Sequence, residues 1–391
     1  MEIDLWWLLA LPLFFGLGWA AARVDIRHLV SQSKVLPNSY FRGLNFLLNE
    51  QPDRAIDAFI EVVRVDPETI ELHFALGNLF RRRGEIERAI RMHSSLVNRA
   101  DLDDNDRLHA LFELGQDYLK TGLLDRAEEA LDKLEGTTYA SRARVFLLEI
   151  YQLEKDWERA IEAARRIQEE GGAATQSQIA QFHCELASRE LSRSNPDGAR
   201  AHAMKALAVN RACVRAQIIL GDIESSAGRH EAAIEAWRAI EAQDAQSLAL
   251  AAGRIIDAYR ALGRPREAMV LLSAYLAQNP GLDVLDLLFD LKVEQEGADA
   301  AYRMVRDELK RSSSFTGLDK LVEAQLMLAT PERQADLQLM KNLVHVHAQR
   351  LSRYTCENCG FKARQYFWRC PGCGGWETYR PKRAEEFNPA G

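Results

Sequence analysis

Small residues recur along this chain at a spacing close to 34. Ala55, Ala89, Ala127, Ala160, Ala199, Ala233, Ala268 and Ala301 follow one another at intervals of 34, 38, 33, 39, 34, 35 and 33 residues. Gly43 and Gly77 repeat the interval of 34. A period held over most of 391 residues excludes one conventional core; it demands a single supersecondary unit, repeated and stacked on its neighbours. The two longest intervals have local causes. One holds the polar insertion ADLDDND at 100–106, the other the Gly-rich joint EEGGAATQS at 169–177.

With Ala55 at position 20, Gly43, Phe46, Phe59 and Pro67 fall at positions 8, 11, 24 and 32 of a tetratricopeptide repeat. Gly77, Phe80 and Ala89 continue the pattern, then Gly115, Tyr118 and Ala127. Small residues at positions 8 and 20 let two antiparallel helices touch, while large apolar ones fill the space to the next pair. The expected architecture is an all-α tetratricopeptide-repeat superhelix of eight or nine helical hairpins over 36–350, the last ones degenerate. No segment before the Cys-rich end alternates as a half-buried strand does. Such a solenoid presents a groove for a protein segment, lined mainly by the first helix of each hairpin. Asn45, Asn78 and Gln116 are its candidate polar contributors.

The repeats carry no recognisable chemistry. No Gly-Lys dipeptide occurs, which excludes a Walker A loop, and H-E-x-x-H and G-x-S-x-G are absent. The expectation is therefore a protein that is not an enzyme. His345 and His347 lie two apart, on different sides of a helix, and read as surface or packing residues rather than metal ligands. Cys184 and Cys213 read as isolated small core residues, and Trp237, at position 24, as core. The stretch RRRGEIERAIR at 81–91 mixes signs as a solvated helix face does. A net charge of −7 argues against general nucleic-acid binding.

The chain closes on YTCENCGFKARQYFWRCPGCGGWETY, residues 354–379. Cys356 and Cys359 form one C-x-x-C pair and Cys370 and Cys373 another, with ten residues between the pairs. Each pair points two thiolates into one hemisphere, and Gly360 and Gly374 permit the left-handed kink of a metal knuckle. Four sulfurs suit one metal ion, zinc in preference to iron, in a rubredoxin-like or zinc-ribbon domain over 351–391. So small a module needs a metal for its stability. Lys362, Arg364, Arg369, Arg380, Lys382 and Arg383 offset the charge of a tetrathiolate centre; a nucleic-acid ribbon is the competing reading of those cations. Among Tyr366, Phe367, Trp368, Trp376 and Tyr379, some should cover the metal site and the rest dock on the final repeat helix, around Leu337 to Leu351.

At the other end, Leu5 to Ala22 is 18 residues without a charge, near the lower limit for a bilayer-spanning helix. Trp6, Trp7 and Trp19 sit toward its ends as interfacial aromatics do. Only Glu2 and Asp4 precede it, unlike a cleaved signal peptide, whereas Arg23, Arg27, His28 and Lys34 follow. The reading is a membrane anchor at 1–22 and a linker at 23–35, N-terminus outward, with the rest of the chain in the cytoplasm. A reducing compartment favours a metal over two disulfides.

One outward-starting membrane helix, a tetratricopeptide solenoid, then CENCG and CPGCG: this order resembles the lipopolysaccharide assembly protein B family, also called LapB or YciM. The resemblance covers essentially the whole chain. The Cys-rich end alone also looks like the zinc finger of the DNA-repair ATPase RadA, a likeness that stops at the ribbon because no ATPase domain is present. What the resemblance implies is an adaptor of the inner membrane in Gram-negative bacteria. Such an adaptor restrains lipopolysaccharide synthesis by helping the membrane protease FtsH degrade LpxC, the deacetylase committing precursor to lipid A. An inner-membrane protein of the YejM or PbgA type is implied to oppose it. Only Cys356, Cys359, Cys370 and Cys373 carry over as functional residues. A general scaffold for lipopolysaccharide-synthesis or envelope-assembly enzymes, its metal module contacting lipid or nucleic acid, is the alternative.

Overall fold

The structure, a computed structural model, describes residues 38–49, 51–65, 69–172, 175–279, 281–380 and 384–385. The segment Leu5 to Ala22, read above as an anchor, lies outside these residues. Among the described residues no helix is long and apolar enough to cross a membrane. The chain divides into two compact units, Met1–Ile150 and Tyr151–Gly391.

In the first unit the helices are α1 (Asn38–Leu48), α2 (Pro52–Val65), α3 (Ile70–Arg82), α4 (Ile86–Val97), α5 (Asp104–Thr121) and α6 (Leu124–Asp132). The next helix, α7 (Ala140–Glu154), contains the division between the units. The second unit continues with α8 (Trp157–Glu169), α9 (Gln176–Ser192), α10 (Pro196–Val209), α11 (Val214–Ser226) and α12 (His230–Gln243). A 3-10 turn, Ala245–Ala251, leads into α13 (Ala252–Ala261), α14 (Pro265–Gln278), α15 (Leu282–Glu296), α16 (Ala298–Arg311), α17 (Phe315–Leu328) and α18 (Pro331–Leu351). The described α-helices thus fall into nine consecutive pairs. Among the described residues, strands occur only at the C-terminal end: β1 (Ser352–Thr355), β2 (Lys362–Ala363) and β3 (Ala384–Glu385), with β1 central and both neighbours antiparallel to it.

The repeat residues do what their sizes dictate. A methyl group added at Gly43 would strike the ring of Phe59; at Gly77, His93; at Gly115, Leu131; at Gly221, Trp237. Position 8 is therefore the bed on which the position 24 side chain lies, sixteen residues on in each case. Phe59, Leu131 and Trp237 are all essentially buried, each contributing about 1.5–3 kcal/mol through burial. Ala55, Ala89, Ala127, Ala160, Ala199, Ala233, Ala268 and Ala301 are fully buried. Helix ends are set by local chemistry: Asp103, Thr175, Asn195 and Ser314 side chains accept from backbone amides of α5, α9, α10 and α17.

His93 is the exception at position 24. Its buried ring needs a polar partner, and Nδ1 lies 2.5 Å from Oδ2 of the fully buried Asp117. Arg81 donates from Nη1 to the other Asp117 oxygen at 3.0 Å and also pairs with Glu113, which sits 3.4 Å from His109 Nε2. Burial pushes the Glu113 carboxyl up, but hydrogen bonds from His109 and Arg81 prevail and hold it down at about 2.

Candidate metal centre and its docking face

Two knuckles build the centre. Gly360 N–H donates to the Cys356 carbonyl at 2.9 Å and Gly374 N–H to that of Cys370 at 2.9 Å, each glycine at positive φ (74° and 71°). Cys356 also pairs with Tyr379 in an antiparallel bridge, as Arg369 does with Trp376, so the two knuckles are tied into one small fold. Tyr354, Cys356, Ala363, Cys370 and Tyr379 form its core, with Tyr366 and Phe367 packed against them.

Cys356, Cys359, Cys370 and Cys373, the four predicted ligands, converge. All four sulfurs lie within 4.8 Å of one another; Cys356 Sγ is 3.8 Å from Cys373 Sγ and Cys359 Sγ 3.7 Å from Cys370 Sγ. A tetrahedron with metal–sulfur bonds of about 2.3 Å has sulfur–sulfur edges of about 3.8 Å. The donor set therefore fits a tetrathiolate metal, and a metal there supplies a cross-link between the knuckles. Surrounding polar groups favour thiolates: the Asn358 amide lies 3.5 Å from Cys373 Sγ, and Gly372 N–H donates to Cys370 Sγ at 3.4 Å. Burial pushes the Cys356 thiol up, yet its hydrogen bond with the Thr378 side chain and those from the Cys359 and Asn358 amides bring it down to about 6. At Cys359 a bond from the Phe361 amide lowers the thiol, but desolvation and the neighbouring sulfurs drive it up to about 12. Four thiols so close cannot all ionise together without a cation.

The module does not dock where the sequence reading put it. Its aromatic anchors lie on the middle repeats rather than on α18. Trp376 stands edge-on to both Trp157 and Phe182, with centroids 6.0 and 5.8 Å apart, and its Nε1–H donates to the Gln152 side-chain oxygen at 3.0 Å. Arg369 donates to the Gln152 carbonyl at 3.2 Å while lying over the Trp376 ring. The Glu377 carboxylate accepts from Gln181 Nε2 at 2.6 Å and from the Ser177 hydroxyl. Trp368 packs against the core of the later repeats and faces the Arg215 guanidinium at 5.9 Å. The physical reason is matching: α8 and α9 offer aromatic faces beside side-chain amides, whereas the outer face of α18 offers aliphatic side chains.

Gln152, Gln181 and Arg215 come from first helices of their hairpins, the side expected to line the groove. The sequence reading named Asn45, Asn78 and Gln116 there instead; Asn45 is exposed, Gln116 half-buried, and Asn78 accepts from Arg81. Gln181 and Arg215 are 34 residues apart, one period, and Arg215 donates to the Gln181 side-chain oxygen at 3.4 Å. Cys184 and Cys213, read as isolated, in fact meet at 3.6 Å, with Gln181 Nε2 3.7 Å from Cys213 Sγ. His345 pairs with Asp319 at 3.0 Å, and Trp237 is core, as expected.

Comparison with known proteins agrees with this construction. Residues 354–381 match the rubredoxin metal binding domain family, and 42–92, 112–175 and 184–247 match tetratricopeptide repeats. Lipopolysaccharide assembly protein B of Escherichia coli is 32% identical over 378 residues, covering 96% of this chain and 97% of its own. The Haemophilus influenzae protein of the same name is 28% identical over 393 residues, covering 97% and 98%. With repeats and metal ribbon in the same order over nearly its full length, this chain belongs to the lipopolysaccharide assembly protein B family.

Proposed function

We propose that the protein is a non-enzymatic adaptor in lipopolysaccharide assembly, held at the inner membrane by Leu5 to Ala22, that brings the LpxC deacetylase to the FtsH protease. One observation carries the reading: the four-cysteine ribbon is seated on the middle repeats, its polar contacts made to Gln152 and Gln181 on first helices, the side on which this repeat class takes protein segments. A ribbon held there joins a partner-binding scaffold to a second recognition module in one body. Relatives named for lipopolysaccharide assembly support the pathway. The metal is zinc, which offers a redox-inert cross-link for four thiolates. A YejM- or PbgA-type protein opposes the adaptor when lipopolysaccharide is scarce.

Co-purification from solubilised membranes tests this. The adaptor reading requires FtsH and LpxC in the eluate, and deletion of residues 1–22 should release a folded chain that no longer lowers LpxC. Recovery of other lipopolysaccharide-synthesis enzymes without the protease would establish the general scaffold instead.

A further inference from the structure

Helix α18 has two faces. Leu337 and Ala348 are buried against the preceding helix, and Lys341 between them pairs with Asp319 Oδ2 at 2.9 Å and Glu323 Oε2 at 2.7 Å. On the opposite side of the helix, at about 100° per residue, a second stripe faces outward. Leu339, Leu343 and Val346, with Met340 at their flank, are 62%, 59%, 48% and 50% exposed. Such a run of large apolar side chains is unusual on an exposed helix face. The ribbon aromatics expected to cover it are seated on α8 and α9.

The stripe has a regular spacing and a polarity. Glu332, Asp336, Leu339, Leu343, Val346 and Arg350 alternate by 4 and 3, the seam of a two-helix coil. Its N-terminal end is acidic and its C-terminal end basic, with His347 near Arg350. Turned end for end about Lys341, the pattern maps onto itself: Leu339 falls on Leu343, Glu332 on Arg350, and Asp336 on Val346, next to His347. A parallel copy would instead set Glu332 on Glu332 and Arg350 on Arg350. Self-complementarity under a two-fold axis is the property of an isologous interface. We infer that α18 pairs antiparallel with α18 of a second copy of this chain. The contact is smaller than the roughly 1,200 Å² of a standard stable interface, so the dimer is weak and concentration-dependent.

Sedimentation of the full-length protein in detergent micelles, over a range of concentrations, tests the pairing. The wild type should pass from monomer to dimer, and L339E/L343E should weaken the association at least tenfold, with helix content unchanged by circular dichroism. E332R and R350E should each weaken it several-fold when alone. Mixing the two variants should restore it, because both ends of the antiparallel hybrid then set an arginine of one copy against a glutamate of the other. Four results would overturn the inference: a wild type that stays monomeric, an association indifferent to L339E/L343E, no rescue on mixing, or a monomer whose stripe instead binds anionic phospholipid vesicles.

Discussion

Glu377 sits at a φ of +52°, left-handed backbone that a residue with a Cβ adopts only at some cost. Its carboxylate holds Gln181 and Ser177, so strain and docking reside in one residue. Glu377→Ala should loosen the ribbon from α9, and Glu377→Gly should do so less, by about 1 kcal/mol, because glycine removes the strain while losing the same hydrogen bonds. Denaturant titration read by tryptophan fluorescence compares the two; equal losses would show that the backbone is unstrained. Gly221 poses the opposite problem, since any Cβ there meets the Trp237 indole. Gly221→Ala should destabilise the second unit by about 1–3 kcal/mol, measured by thermal unfolding. His183 lies buried without a hydrogen-bond partner among the described residues; burial first, then the charges of His202, Arg165 and Lys205, lower its pKa to about 4. Between 6.5 and about 4 the unfolded chain takes up a proton that the folded one refuses, so stability falls as pH falls through that window. The loss should be on the order of 1 kcal/mol, and His183→Phe should flatten the pH dependence of the unfolding midpoint.

At the scale of elements, the repeat helices and the metal knuckles were legible and the docking was not. A position 8 glycine and its position 24 partner belong to one hairpin, and both members of a C-x-x-C pair belong to one turn, so each leaves a mark at fixed spacing. Gln152, Trp157 and Phe182 bear on Trp376 across some two hundred residues, and nothing local in the sequence records such a pairing. His93 hid for a related reason: a position that elsewhere takes Phe59 or Trp237 became polar because Asp117 on α5 waits for it. The consequence for the ribbon is a sharp division of labour. Cys356→Ser should abolish tight metal binding and unfold β1, β2 and both knuckles while the repeat helices persist. Metal analysis should fall from about one ion per chain to none, with far-UV dichroism nearly unchanged; a variant that retains its ion would refute the four-sulfur centre. Acid acts in the same direction, because protons compete with the metal for the thiolates.

Across the whole molecule, metal removal should act at a distance from the sulfurs. Chelation should free Trp376 and Trp368 from the middle repeats and shift tryptophan emission to the red, and proteolysis should then cut near the α18–β1 junction before it reaches the repeats. Unchanged emission would mean that the docked ribbon is held without its ion. The docking also has a history within each molecule's synthesis. Repeat helices close on neighbours a few tens of residues away and can form as the chain emerges, whereas Trp376 must find Gln152, 224 residues upstream. At roughly 5–20 residues per second, the face on α7 to α9 leaves the ribosome tens of seconds before the segment that will cover it. Every copy therefore begins life with that face bare, and whatever chaperone or client meets the nascent chain in this interval does so before the ribbon exists.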